Sequence, residues 1–349
     1  MPLRLIFIKI SIFSYSKHKS MTTLVTGATG HLGANLVRAL LNRGEKVRVL
    51  LRKESNNIEV DGLNVERVYG NLKDEKSLIE AVKDCDYVYH LAAFVSIRDG
   101  DRKELYDVNV LGTRYLMQAC RLAGVKKVVH CSSFGAVGNN PEGASNEKWA
   151  VSPYEMTTDY EISKTFAELE VYKEIVRGLQ AVIVNPSGIV GPWDFKPSLL
   201  GKTIIEFAQG KMRASVKGGF DFTPVQDVVQ GHLLAMEKGM VGERYLLTGE
   251  QHSLAETLDW LEEFTGASKP KIVIPTFIMQ NIAIIKDWVE RKFFPHVYPR
   301  FNYHSIRLLN CGKFGTHNRA IKELGLQPTP VKEAYRDSVL WFKEHGYID

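Results

Sequence analysis

The sequence predicts an α/β protein: a doubly wound parallel sheet with helices on both faces, and a smaller, discontinuous C-terminal domain. Three observations predict it. From Met21 onward short β-branched runs alternate with longer stretches of helical period, a glycine-rich turn joins the first strand to the first helix, and the alternation becomes irregular after Gly191-Pro192.

Strands are expected at Thr23–Thr26, Val47–Leu51, Val65–Tyr69, Tyr87–Leu91, Lys127–Cys131 and Ala181–Val184. Between the first two, Leu32, Leu36, Val37, Leu40 and Leu41 share one face of a helix from about Leu32 to Arg43, which Gly44 stops. Helical patterns over Ser77–Val82, Glu104–Leu122 and Tyr160–Arg177 separate the later strands. Residues 21–190 are therefore assigned to the sheet domain and residues 191–349 mainly to a substrate-binding region. Part of the latter, about 222–264, returns to the sheet through Phe222–Lys238, Arg244–Thr248 and Ser253–Phe264.

With 349 residues, 44% apolar and 24% charged, the chain buries a full core without a covalent staple. Lys and Arg exceed Asp and Glu by only 45 minus 40, scattered along the chain, which argues against a nucleic-acid partner. Cys85, Cys120, Cys131 and Cys311 show no paired spacing, so no metal site is expected and a reducing, cytoplasmic setting is. In residues 1–20 an apolar run, Leu3 to Phe13, is broken by Lys9 and followed by Lys17, His18 and Lys19, the wrong order for a secretory signal. The segment reads as a dispensable leader before Met21; a weak membrane-surface anchor is the alternative. No stretch has the length of a membrane span, and Ile272–Ile285, interrupted by Pro275, Gln280 and Asn281, reads as an irregular apolar wall followed by a helix.

Strand, glycine turn and helix in direct succession make a Rossmann-type phosphate site, because free backbone amides and the positive helix end meet there. Gly27 permits the tight turn, Gly30 lets a pyrophosphate approach, and Gly33 lets the helix pack on the strand. With Thr29, His31 and Leu32 they form the expected cofactor cradle. At the end of the second strand a carboxylate would hydrogen-bond the ribose hydroxyls of NAD and repel a 2′-phosphate. Here Leu51 is followed by Arg52 and Lys53, so NADP(H) is favoured and NAD(H) is the alternative; a merely solvated loop is the plain reading of both cations.

Tyr160 and Lys164 stand four apart in a helical pattern and leave the same face. A phenol, near pKa 10 in isolation, becomes a usable general acid or base when an ammonium stabilises its anion. Ser133 ends the fifth strand 27 residues earlier, with Ser132 as the neighbour that a register error would exchange for it.

Thr26-Gly27-Ala28-Thr29-Gly30-His31-Leu32-Gly33, Ser133 and Tyr160-Glu161-Ile162-Ser163-Lys164, in this order, resemble the extended short-chain dehydrogenase/reductase superfamily and its NAD-dependent epimerase/dehydratase family. Tyr160 to Glu168 is similar to the dihydroflavonol-4-reductase group. Asn185-Pro186-Ser187 and Gly191-Pro192-Trp193-Asp194 are similar to proteins labelled hopanoid-associated sugar epimerases. His31 departs from the residue usual in the turn and reads as a surface or capping variation. The resemblance implies that Ser133 hydrogen-bonds the substrate oxygen and that Asn109 holds a water and steadies Lys164. It also implies that Asn71 and Leu72 lie beside the adenine, that Ala92 and Ala93 pass the cofactor over the sheet edge, and that Pro186 and Ser187 wrap the nicotinamide. A homodimer through Glu104–Leu122 and Tyr160–Arg177 is a family-level expectation.

Two enzyme readings follow. One is an NADP-dependent carbonyl reductase or alcohol dehydrogenase for a bulky, apolar substrate, whose mouth Phe277, Ile278, Met279, Ile282, Ile285 and Trp288 could line, unless they are core. The other is a nucleotide-sugar epimerase or dehydratase with a basic pocket from Lys211, Arg213, Lys217, Arg300 and Arg307. A non-catalytic redox sensor would not need Tyr160 and Lys164, and both are present.

Overall fold

The computed structural model describes residues 21–96, 98, 100–149, 152–156, 158–293, 303–310 and 312–349, with residues 287–293, 303–305 and 308 as backbone alone. The leader lies outside the described residues.

Twelve strands are present among them: β1 (Thr22–Thr26), β2 (Lys46–Leu51), β3 (Glu66–Tyr69), β4 (Tyr87–His90), β5 (Lys127–Cys131), β6 (Ala181–Pro186), β7 (Gly188–Val190), β8 (Ala214–Val216), β9 (Gly219–Pro224), β10 (Arg244–Leu247), β11 (Glu250–Ser253) and β12 (Ile272–Ile274). Eleven α-helices accompany them: α1 (His31–Asn42), α2 (Glu75–Val82), α3 (Arg102–Leu105), α4 (Gly112–Leu122), α5 (Asp159–Val176), α6 (Leu199–Ala208), α7 (Val225–Lys238), α8 (Leu254–Thr265), α9 (Thr276–Phe293), α10 (Tyr303–Asn310) and α11 (Val331–Glu344).

Seven strands form one sheet in the order β10-β6-β5-β4-β1-β2-β3, and every pairing is parallel. Parallel strands are covered on both faces, which is why β1 and β6 are buried along their whole length. On one face α1 and α7 bury Leu36, Val37, Leu40, Val228 and Ala235 against Val25, Val49 and Val184. On the other, α2, α4 and α5 bury Leu78, Leu116, Met117 and Val171 against Leu24, Val88 and Ile183. Chain order reverses where β1 has β2 on one side and β4 on the other, and the crevice above such a switch point is where ligands of open α/β sheets bind.

Helix α5 begins with a reciprocal cap. The Glu161 amide donates to Thr158 Oγ1 at 3.1 Å, and Glu161 Oε2 accepts from the Thr158 amide at 3.1 Å. The helix expected over Glu104–Leu122 is instead α3, a π-helical turn over Tyr106–Leu111 and then α4. A π turn widens the backbone ladder, and here it carries Asn109. Phe222–Lys238 divides at Pro224, which ends β9 and caps α7 because it has no N–H to continue either element.

The elements outside the seven-stranded sheet gather around a third apolar cluster, with Phe207, Phe222, Leu261, Tyr335 and Phe342 from α6, β9, α8 and α11. Strands β11, β9 and β7 make a small sheet, and β12 pairs with β8; β7, β8, β11 and β12, of three or four residues, had no sequence signal long enough to find. Asp221 ties β9 to its surroundings, accepting from Ser187 Oγ at 2.6 Å, Gly249 N at 2.8 Å and Gly315 N at 3.0 Å. Asp221→Ala leaves these donors without their acceptor, and the expected loss is about 3 kcal/mol of unfolding free energy. Urea titration reads it as a lower midpoint at unchanged slope.

Candidate active site

The glycine turn is built as close backbone contact. Gly27 has φ +75°, and a Cβ there would stand 2.6 Å from the Ala92 amide nitrogen, so the turn crosses the end of β4 at a distance only glycine allows. A Cβ on Gly33 would stand 2.0 Å from the Gly27 carbonyl oxygen. Gly30 caps α1 without a side-chain acceptor, and the first turn holds no acid. The leading amides of α1 therefore remain available to an anion, which fits the pyrophosphate of a dinucleotide. Thr29 is half-buried in the turn, and the Leu32 side chain belongs to the core, leaving only its backbone to the cradle.

His31 is more than a surface variation. Its Nε2 lies 3.1 Å from the Pro192 carbonyl oxygen, and Asn35 Nδ2 donates to the same oxygen at 2.9 Å. Burial lowers the imidazole pKa. The loop so fastened carries Trp193 at φ +65°, under the Arg38 guanidinium 4.0 Å from its ring centre.

Arg52 and Lys53 follow β2, both exposed, and neither has an ion-pair partner among the described residues. Asn71 is exposed, and its Oδ1 accepts from the Lys73 amide at 3.0 Å; Leu72 is buried beneath it. Ala92 and Ala93 are half-buried at the carboxyl end of β4, across the switch point from the glycine turn.

Ser133 follows β5 at this same edge of the sheet, and its hydroxyl neighbours the Tyr160 phenol. It also accepts from the Gly135 amide at 3.0 Å. Ser132 is buried and faces the Glu168 carboxylate, so Ser133, not its neighbour, meets the phenol. Lys164, buried one helical turn beyond Tyr160, donates from Nζ to the Cys131 carbonyl at 2.8 Å. The phenol is not lowered as the Tyr–Lys spacing suggested. Burial pushes it up to about 12, and the neighbouring Ser133 hydroxyl opposes this only in part. Burial lowers the Lys164 pKa.

Among the described residues no direct hydrogen bond joins Lys164 to Asn109. Its Oδ1 accepts from the Phe94 amide at 2.7 Å, and Nδ2 donates to Phe94 O at 2.9 Å and Ser163 Oγ at 3.0 Å. It thus clamps the segment after β4 onto α5. Pro186 is the buried last residue of β6 and not part of a turn. The Ser187 hydroxyl is engaged by Asp221 and by Thr223 at 2.5 Å, which leaves its backbone as the part able to face a nicotinamide.

Two supports escaped the sequence. Glu168, buried, accepts from Asn185 Nδ2 at 2.7 Å and lies 3.4 Å from Arg244, while Asn185 also donates to the Ser133 carbonyl at 2.9 Å. His90 lies 2.8 Å from Thr26 Oγ1 and 3.0 Å from Thr113 Oγ1, joining β1, β4 and α4; burial and the nearby Lys164 charge lower its pKa to about 3 and keep it neutral. Only the place of Glu168 on the Tyr160–Lys164 helix hinted at either role. Among the described residues no group of three His, Cys, Asp or Glu is placed to hold a metal ion, and no helix is long and apolar enough to cross a membrane.

Residues 23–247 match the model of the NAD dependent epimerase/dehydratase family. Sterol demethylase protein B of Methylococcus capsulatus is 61% identical over 94% of this chain and 100% of that protein. The mouse sterol-4-alpha-carboxylate 3-dehydrogenase, decarboxylating, is 29% identical over 90% of this chain and 88% of its own length. The crystal structure of gox2253 superposes with a TM-score of 0.83 at 36% identity, covering 94% of this chain and 99% of that one. The sheet order, the glycine turn and these likenesses agree: the chain is an enzyme of the extended short-chain dehydrogenase/reductase type and belongs to the NAD dependent epimerase/dehydratase family.

Proposed function

We propose that the protein is a dehydrogenase that oxidises a ring hydroxyl of a sterol-class substrate with an NADP-preferring dinucleotide, a neighbouring carboxylate then leaving as CO2. The observation that carries the dehydrogenase reading is that the Ser133 hydroxyl and the Tyr160 phenol are neighbours at the sheet edge that holds the glycine turn, with Lys164 one helical turn further on. The names of the two sterol relatives support the substrate class and the loss of carboxylate.

The turn around Gly27, Gly30 and Gly33 holds the pyrophosphate, and Ala92 and Ala93 flank its path. When bound, the nicotinamide supplies the hydride acceptor at C4. Ser133 and Tyr160 converge on the substrate hydroxyl. Tyr160 takes its proton as the carbinol C–H bond breaks, and the oxygen becomes a carbonyl. Lys164, one helical turn beyond Tyr160, donates to the Cys131 carbonyl at the end of the strand that leads to Ser133, and Asn109 and Glu168 fix the segments on which they stand. A ketone β to a carboxylate loses CO2 when the C–C bonding pair moves into the carbonyl, and the resulting enolate is reprotonated. The elements after Gly191 that lie outside the main sheet frame the substrate, with Phe222–Phe264 partly shared with that sheet.

The test is incubation with NADP+ and a 3-hydroxysterol bearing a 4-carboxylate. Reduced nicotinamide and CO2 are expected in equal amounts. Interconversion of nucleotide sugars without net cofactor reduction, and no turnover of the sterol, would replace this reading with the epimerase one. NADP preference rests on Arg52 and Lys53. Arg52→Ala should weaken NADPH binding about tenfold, the worth of one charge-assisted hydrogen bond, while NADH binding stays within about twofold. Fluorescence titration measures both, and parent protein that binds NADH as well as NADPH would remove the preference.

A further inference from the structure

Helix α9 presents an apolar face to solvent. Phe277, Ile278, Ile282, Ile284 and Ile285 are all exposed, Phe277 at 67% and Ile285 at 65%. At about 100° per residue they occupy one continuous arc with Asn281 between them. The opposite arc is satisfied: Ala283 and Met279 pack against Val216 and Ile306. The exposed face is therefore not the plain core that was the alternative to a substrate mouth for these residues. It continues into β12, where Ile272 and Val273 are also exposed. A soluble surface seldom gathers so much contiguous apolar area without a partner.

The charge of this part of the sequence indicates which partner. From Gly266 to Lys286 the chain has three lysines and no carboxylate. Over residues 266–310, Lys269, Lys271, Lys286, Arg291, Lys292, Arg300 and Arg307 stand against Asp287 and Glu290, seven minus two. That +5 equals the formal net charge of the whole chain, so the remaining residues balance to zero. Lys271 is exposed beside Ile272, with no ion-pair partner among the described residues. Lys269 pairs with Asp259, while Lys271 and Arg307 are exposed. An apolar helix face in a stretch of chain with a surplus of cations is complementary to a bilayer surface, where acyl chains accept the side chains and anionic headgroups the cations.

We infer that α9 and β12 seat the protein on an anionic phospholipid surface, with Phe277, Ile278, Ile282 and Ile285 entering the headgroup boundary. No helix among the described residues is long and apolar enough to span, so the contact is peripheral. The inference stands on exposure and charge and does not depend on the substrate.

The full chain is sedimented with vesicles of phosphatidylcholine alone and of phosphatidylcholine mixed with phosphatidylglycerol. Binding is expected to the mixed vesicles, weaker at high salt. The double variant Phe277→Ser/Ile285→Ser should lose at least about tenfold in partitioning, since two large side chains leave the buried area. Unchanged NADPH affinity of the variant shows that it is folded. Absence of binding to either vesicle, or binding that the folded double variant retains, overturns the inference. So does sedimentation equilibrium in which the parent is a dimer and the variant a monomer, which would make this face a contact between two copies. If the double variant does not fold, Lys271→Glu supplies the test: mixed-vesicle binding that it leaves unweakened overturns the inference.

Discussion

Tyr160→Phe is expected to lower turnover about 10²–10⁴-fold, the range for a positioned acid or base, while dinucleotide affinity stays within about twofold. The substitution removes one oxygen and keeps the ring, so the fold of α5 and the glycine turn are untouched. What disappears is the hydroxyl that neighbours Ser133 at the carboxyl edge of the sheet. With the phenol pushed up to about 12, the free enzyme holds its proton at neutral pH. Oxidation of an alcohol needs that proton gone, so kcat/KM for the parent should rise with pH across the neutral and alkaline range, and the Phe variant should lose this rise. Stopped-flow turnover over a pH series measures both. A Phe variant with parental rates would remove Tyr160 from the chemistry.

Gly33→Ala is expected to abolish measurable dinucleotide binding and to cost about 1–3 kcal/mol in stability, the usual penalty of overpacking. Its methyl would stand 2.0 Å from the Gly27 carbonyl oxygen and 2.7 Å from Ala28 Cα. Both obstacles are backbone, so no rotamer change relieves them, and either α1 or the turn must move. Movement of the turn carries Gly27 away from the end of β4, against which it is closed. Calorimetric titration with NADPH and thermal unfolding read the two effects separately. A stable variant that binds normally would show that the turn tolerates displacement.

The sheet was legible because its strands are β-branched runs of four to six residues separated by amphipathic helices, each a strong local pattern. Glycine spacing and the Tyr160–Lys164 interval survived translation into space for the same reason: both are local. What the sequence hid are partners distant along the chain. Asn109 was expected to hold a water and steady Lys164, and its direct partner is Phe94, 15 residues away, which takes both ends of its amide. Ser187 was expected at the nicotinamide, and Asp221 and Thr223 engage its hydroxyl, leaving its backbone for that role. His31 was expected as a surface or capping variation, and its partner is the carbonyl of Pro192. The phenol shift was misjudged because spacing reports a neighbouring charge and says nothing of burial, the larger influence here. The short strands β7, β8, β11 and β12, of three or four residues each, fall below the length at which alternation can be seen.

The reciprocal cap formed by Thr158 and Glu161 brackets Tyr160, which is only the second residue of α5. A helix frays from its ends, so a side chain in the opening turn is aimed only for as long as that turn stays wound. The orientation of the phenol is thus governed by the local opening equilibrium of a few peptide units, which two side chains bias toward closure. Heat or denaturant can therefore silence the enzyme by unwinding this single coil while the sheet beneath it remains intact.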